Sequence, residues 1–336
     1  MAAPDAAPQR KSALPQSASV LVCPVCGAAV QASSIETFGR FSLFACAQCD
    51  LHFWNPREMP DGSWYEQMYG SRDAHILPLE PGHKYFLADP RAPKSGDLLD
   101  VGCGTGNFLL AARGAGFQVS GTELDPAAIR FIQTALGIEN VFPLTITGFA
   151  AANPAGKFAV VTAWEVLEHQ ADPVAFLRAI KSCLNPHGFL ALSVPNRNRW
   201  LTGPDVLDYP PNHFLRWSAA ALKNFLAAQG FEIVSLREQP AGISHTAQMI
   251  NIALRSGLAR PIAGTIQPAF REVMQMSPEQ AASLLAAKPT LRQRLFSALS
   301  KVKLAVCYFL AIGAWPVVRL QQRKGTYLYC LARSRD

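Results

Sequence analysis

The sequence predicts an α/β fold: a seven-stranded, mostly parallel sheet with helices on both faces, a small cysteine-bearing module before it, and a helical insertion ahead of the last strand. Three observations predict it. Apolar strand-type runs alternate with helical runs from Gly96 onward. Two C-x-x-C pairs precede that region, and a long stretch, 239–324, separates the sixth strand-type run from the seventh. At 336 residues and 49% hydrophobic composition the chain has room for one large α/β domain and a satellite.

Residues 1–19 are mostly Ala, Pro, Ser and Gln, with no apolar segment of signal-peptide type, and are expected to form a disordered tail. Residues 20–56 follow the pattern of a zinc ribbon. Cys23-Pro-Val-Cys26 and Cys46-Ala-Gln-Cys49 are nineteen residues apart. Each pair turns the chain so that two thiolates face one point, and Cys23, Cys26, Cys46 and Cys49 together complete a closed tetrahedral shell for a structural Zn²⁺. A buried or redox-active thiol pair is the alternative. His52, close behind, is either a substitute ligand or a packing side chain. A closed shell has no open position, so this metal is assigned no chemistry. Cys103, Cys183, Cys307 and Cys330 are scattered in apolar contexts, the usage of a reducing, cytoplasmic compartment. Residues 57–95, rich in proline and aromatic residues, read as a connecting region. A helical stretch at Trp64 to Tyr69 could lie over the site.

Within 96–238, strands are expected at Asp97–Val101, Gln118–Thr122, Val141–Thr147, Phe158–Trp164, Phe189–Val194 and Phe231–Leu236. Helices are expected at Asn107–Ala115, Pro126–Leu136, Pro173–Leu184 and Ser218–Gln229. Thr326 to Arg333, within 325–336, is the final strand. In the insertion, 239–324, Ser277-Pro-Glu marks a helix start. Leu291, Leu295, Ala298, Leu299 and Val302 recur at helical spacing among Arg292, Arg294, Lys301 and Lys303, and lead into fifteen uncharged residues, Leu304 to Val318. A membrane-spanning helix needs roughly 20 such residues, so a span is not expected. Residues 251–336 hold 13 Lys/Arg against 3 Asp/Glu, whereas the rest of the chain holds 18 against 21. This suits attachment of residues 290–324 to an anionic membrane surface, on its inner face. A hairpin packed on the domain or in a dimer interface remains the alternative.

The chemistry starts at Asp100-Val-Gly102-Cys103-Gly104-Thr-Gly106-Asn107, where the first strand should end and the first helix begin. Glycines there permit a tight turn and close approach of backbone to a ligand at a helix N-terminus. The spacing is G-x-G-x-G rather than the G-x-G-x-x-G of dinucleotide sites. Glu123 closes the second strand 17 residues beyond Gly106, where a carboxylate can accept from both hydroxyls of a ribose. Turn and acid together point to a nucleoside cofactor.

With Leu98 to Gly106, Gly121-Thr-Glu-Leu-Asp125, Trp164-Glu-Val-Leu-Glu-His169, Asp172-Pro173, Leu184-Asn-Pro-His-Gly188 and Pro195-Asn196 in this order, residues 95–237 and the last strand resemble the class I S-adenosylmethionine (SAM)-dependent methyltransferases. The resemblance is closest to the branch of ubiquinone-type O-methyltransferases and of methyltransferases from bacterial surface-glycan gene clusters. It implies a Rossmann-like sheet and SAM as cofactor. Asp100 and the glycine turn, Gly102 to Gly106 with Asn107, would contact its methionine end, Glu123 its ribose and Leu124 its adenine. Glu165 and its neighbours would line the cofactor and acceptor side. Two departures stand out. Phe158-Ala159 replaces the family's usual Phe-Asp, and Thr147-Gly-Phe-Ala150 lacks the customary acidic residue, so adenine recognition is expected to use backbone groups.

A sulfonium methyl is already an activated electrophile, so positioning supplies much of the rate and a base is needed only if the acceptor must lose a proton. His213, in Tyr209-Pro-Pro-Asn-His-Phe-Leu-Arg-Trp217, is the preferred base, with His169 as the other candidate, Glu168 as a weaker third and Glu165 on the same wall. The acceptor is expected to be an oxygen or nitrogen of a small molecule, of a sugar or glycan precursor, or of a lipid-linked compound. An RNA methyltransferase is an alternative, although the segment from Cys23 to Cys49 carries only Arg40 as a basic residue. A non-catalytic SAM-binding or partner-binding module is another.

Overall fold

The computed structural model describes residues 21–31, 33–58, 76–199, 208–239, six residues between Gly242 and Asn251, 291–320 (backbone alone at 291–301, 319 and 320) and 325–335. The expected tail at 1–19, the helix at Trp64–Tyr69 and the helix start at Ser277 lie outside them.

The cysteine module contributes β1 (Glu36–Phe38), β2 (Phe41–Ala45) and β3 (His52–Asn55). The alternating run Thr37 to Phe44 becomes two strands because Gly39, at φ +57°, turns the chain between Phe38 and Phe41, which pair across the hairpin. Next come α1 (Pro81–Ala88), β4 (Gly96–Val101), α2 (Asn107–Gly114), β5 (Phe117–Thr122), α3 (Pro126–Ala135) and β6 (Val141–Phe142). Then follow α4 (Ile146–Ala152), β7 (Phe158–Trp164), a 3₁₀ turn at Leu167–His169, α5 (Pro173–Cys183) and β8 (Leu184–Pro195). The chain closes with β9 (Leu215–Arg216), α6 (Ala219–Ala228), β10 (Phe231–Gln239), α7 (Leu291–Leu320) and β11 (Tyr327–Ser334).

The main sheet has the order β10-β11-β8-β7-β4-β5-β6. Both neighbours of β11 pair with it antiparallel, whereas β8, β7, β4, β5 and β6 run parallel. Its central strands are apolar on both faces because both are covered. Leu99, Val161 and Leu190 pack into one layer with α5 and α6, whereas Leu98, Val160 and Ala191 pack into the other with α2 and α3. The chain leaves β4 toward β5 on one side and returns to β7 on the other. That reversal opens a crevice at the strands' C-terminal ends, the usual ligand position in such sheets.

β8 begins at Leu184, five residues before the expected Phe189, β9 was not expected, and two further departures have a local cause. The strand expected over Val141–Thr147 stops at Phe142, because Thr145 caps a helix instead: its hydroxyl accepts from the Gly148 amide at 3.2 Å, and Ile146 and Phe149 are buried by the helical turn. The expected connecting region contains α1, begun by Glu80-Pro81 with a capping box between Glu80 and His83.

Helix α7 runs through Pro316 without interruption. Cys307 and Ala311 are fully buried against Ile243, Ala247 and Ile250, while Val306, Phe309, Ile312 and Val317 are at least half exposed. Among the described residues no helix is long and apolar enough to cross a membrane.

Candidate active site and cysteine centre

The glycine turn links β4 to α2. Gly102 and Cys103 donate their amides to the Thr122 carbonyl at the end of β5, at 2.8 and 3.0 Å, and Gly106 donates to Cys103 at 3.0 Å. At Gly106 (φ +78°) a Cβ would meet Ile132 at 2.8 Å, so the residue must be glycine for α2 to pack on α3. Gly104 (φ +54°) instead faces open space, leaving its backbone accessible to a ligand. Cys103 turns its thiol into the core against Gly121, so only its backbone serves the turn.

Glu123 stands beside the turn. One carboxylate oxygen accepts from the Gly104 amide at 2.8 Å, and the other from the amides of Leu124 and Asp125 at 2.7 and 3.0 Å. Leu124 is exposed. Asp100 is buried beneath the turn, bonded to the Thr162 hydroxyl at 2.6 Å on the neighbouring strand. Burial pushes its carboxyl up to about 8. A cationic ligand head group would relieve that cost, and the buried Thr105 hydroxyl has no hydrogen-bond partner among the described residues. Asn107 donates across to the Pro78 carbonyl at 3.4 Å, bringing the segment before α1 against the turn.

The loop after β7 forms the facing wall. A Cβ on Gly102 would meet Val166 at 2.9 Å, so turn and wall are in contact. Glu165 is held at φ +56°, a strained conformation for this residue, and accepts from the Ser193 hydroxyl at 2.6 Å. Burial pushes its carboxyl up to about 8, with Glu80 adding repulsion. Glu168 is fully buried, neither oxygen has a hydrogen-bond partner among the described residues, and burial drives its pKa well up.

Across from Glu168 lies His213. Its Nε2 is 3.9 Å from a Glu168 oxygen and its Nδ1 is 3.4 Å from Asp208, which is itself paired with Arg199. His169 stacks edge-on to His213 with ring centroids 4.7 Å apart. Its Nδ1 lies 2.6 Å from the Asn212 carbonyl, which can only accept, so Nδ1 carries the proton. Burial lowers the His169 pKa to about 3. Glu168, His169 and His213 bring ligand atoms within 4.8 Å of one another, close enough to hold a cation as well.

Glu80, Thr105, Arg199, Asp208 and Tyr327 were not legible as site residues. Glu80 and Tyr327 come from elements far apart in sequence, and burial together with Glu165 and Glu80 raises the pKa of Tyr327. In the sequence Glu80-Pro81 lies within the expected connecting region and Asp208 just before the Tyr209 to Trp217 run, and nothing local marks either as part of the site.

The four module cysteines form a second centre. Each pair sits in the same turn: Gly27 donates to the Cys23 carbonyl and Asp50 to that of Cys46, both at 3.0 Å, with Gly27 at φ +71° and Asp50 at φ +63°. Sγ atoms of Cys23 and Cys49 are 3.5 Å apart, those of Cys26 and Cys46 3.4 Å, and all four lie within 4.8 Å of one another. Zn–S bonds of about 2.3 Å in a tetrahedron place sulfurs about 3.8 Å apart, so the donor set fits Zn²⁺. Burial raises the Cys23 thiol to about 11, a cost that a divalent cation would remove. His52 is outside this group, on β3 opposite Arg216. Elemental analysis of folded protein is expected to return about one zinc per chain; folded, metal-free protein would refute the assignment.

Comparison with known proteins bears on the crevice. A family model described as a methyltransferase domain matches residues 75–236. The ubiquinone biosynthesis O-methyltransferase of Thiobacillus denitrificans is 39% identical over 115 residues, 33% of this chain and 49% of that protein. The protein of the same name from Xanthomonas axonopodis is 32% identical over 137 residues, 40% and 56% of the two chains. That of Brucella anthropi is 30% identical over 198 residues, 56% of this chain and 72% of that one. The chain therefore spans about half the length of the first two of these relatives. A solved SAM-dependent methyltransferase from Archaeoglobus fulgidus superposes with a TM-score of 0.45 at 15% identity, over 81% of this chain and 99% of that one.

Proposed function

This chain belongs to the class I SAM-dependent methyltransferase family, and from that membership we propose that it transfers the methyl group of SAM to an oxygen or nitrogen of a small-molecule acceptor. The observation that carries the reading is the contact between the glycine turn, braced by Glu123, and the β7 loop that holds Glu165 and Glu168, with His213 across from Glu168. One side has the groups to hold a nucleoside, and the other has a buried proton-accepting system.

When bound, SAM supplies a methyl group on a sulfonium: the S–C bond breaks as the C–O or C–N bond forms. Glu123, released from part of its backbone bonding, accepts from the ribose hydroxyls. Asp100 and the backbone around Gly104 take the cationic methionine end, with Leu124 beside the adenine. Asp208 on Nδ1 of His213 holds the proton at that nitrogen and stabilises the imidazolium that forms when Nε2 takes the acceptor's proton, while Glu168, kept neutral by burial, lines the Nε2 side. His169 is poorly suited to act as the base, because its basicity is too low and its ring ties the β7 loop to Asn212. Glu165, kept neutral by burial, can bond to a polar group of the acceptor.

The acceptor class is tested by incubating the protein and labelled SAM with cell extract, then separating small-molecule, lipid, glycan and RNA fractions. Label in a small-molecule or lipid-linked fraction is expected; label confined to RNA would reject the reading, and none in any fraction would favour a non-catalytic module.

The exposed residues of α7 and the basic excess of 251–336 support docking on an anionic bilayer, a location suited to a lipid-linked acceptor. Phe309→Glu with Ile312→Glu, both on the exposed face, is expected to abolish flotation with anionic vesicles; unchanged flotation would refute docking.

A further inference from the structure

We propose that Glu36 and Asp50, both on the cysteine module, are positioning residues for the acceptor side of the site, so that the module forms part of the machinery around His213. The proposal rests on the methyl-transfer reading only in naming that wall the acceptor side.

The segment 208–218 meets the end of β8 at Trp217, whose carbonyl accepts from the Arg197 amide at 2.7 Å, and meets the module along the rest of its length. Its strand β9 has two residues, too short to hold itself, and its partner is β3 of the module, with His52 opposite Arg216 and Phe53 opposite Leu215. The Trp54 amide extends this ladder to the Phe214 carbonyl at 2.9 Å, while the Phe214 amide reaches the Glu168 carbonyl at 2.9 Å. The residue after His213 is therefore clamped between the module and the β7 loop.

Two carboxylates lock the clamp. Glu36 accepts from the Tyr209 hydroxyl at 2.6 Å and from Arg216 at 2.9 Å, gripping the segment four residues before His213 and three after it. The Arg216 guanidinium lies over the rings of Trp54 and Tyr209, at 5.0 and 5.1 Å. Asp50 pairs with Arg197 at 2.7 Å and accepts from the Ser218 hydroxyl, the N-cap of α6. Because Asp50 is also the left-handed residue that closes the second cysteine turn, the geometry of the four thiols is transmitted directly to the end of the segment. Trp54, Phe214 and Trp217 are fully buried within one core shared by module and domain. Charge-assisted bonds of this kind are the stronger ones, and a displacement of about 1 Å at a reacting group can cost on the order of 100-fold in rate.

The test uses the full chain with Glu36→Gln, Asp50→Asn and the pair combined. Hydrogen exchange at the amides of Phe214 to Arg216 is expected to accelerate about tenfold in the double variant. Exchange across Leu98 to Gly106 and the affinity for SAM should stay within about twofold of the parent. With the extract fraction that takes label, the rate of transfer at saturating SAM should fall about tenfold while the KM for SAM does not change. Exchange that rises equally in both regions, exchange unchanged at Phe214 to Arg216, or an unchanged transfer rate would each overturn the proposal. If no fraction takes label, the methyl-transfer reading fails by itself and the exchange pattern still decides whether the module holds the segment.

Discussion

Glu123→Ala is expected to raise the dissociation constant for SAM about 100-fold while leaving the thermal transition nearly unchanged. The substitution removes a carboxylate that would accept from two ribose hydroxyls, and bonds to a charged group contribute about 1.5 to 3 kcal/mol each. It also releases the Gly104, Leu124 and Asp125 amides, so the turn loses the brace that pre-forms it. Exposure of that brace at the mouth of the crevice is why folding should tolerate the change. Titration calorimetry measures it, and an unchanged affinity would remove Glu123 from the cofactor site. The same titrations carry a pH signature. Burial holds Asp100 at about 8 in the free protein, so it is largely protonated at neutral pH. A cationic ligand beside it lowers that value, so binding releases protons and affinity rises as pH increases from about 6 to 8. Affinity falling over that interval would contradict the assignment of Asp100 to the cationic end.

His213→Ala is expected to lower methyl transfer between about 10²- and 10⁴-fold, the range for loss of a positioned base, with SAM affinity within about twofold of the parent. The geometry makes the effect selective: His213 contacts Asp208 and Glu168, whereas the glycine turn depends on Thr122 and Glu123. His169→Ala should show a different signature. Because its Nδ1 proton is committed to the Asn212 carbonyl, its loss should loosen the 208–217 segment and lower stability along with rate. Single-turnover transfer from labelled SAM, with thermal unfolding of both variants, separates the roles. A loss under tenfold in His213→Ala would exclude it as the base.

Much of this protein was determined by local sequence. Strand and helix periods placed β4, α2, β5, α3, β7, α5, α6, β10 and β11 within a few residues; β4, β7 and β11 are largely buried apolar runs, and Asp125, Asp172 and Ser218 cap α3, α5 and α6. The glycine turn, Glu123 and the paired cysteines were legible for the same reason: their geometry depends on residues within a few positions of one another. The short reach of β6 was not legible, since Thr145 could read either as strand or as cap and only the packing of Ile146 and Phe149 chose.

What only the tertiary structure decided is what long-range packing brings together. Glu80, Glu165, Asp208 and Tyr327 converge from four separate elements, and His213 acquires its partners from residues up to 45 positions away. The cysteine module likewise read as a self-contained appendage, because the ligands of a metal knuckle are local. Its pairing with β9 is not written in either segment: a two-residue strand has no period to read, and the carboxylates that secure it differ from ordinary surface acids only in what the fold places opposite them.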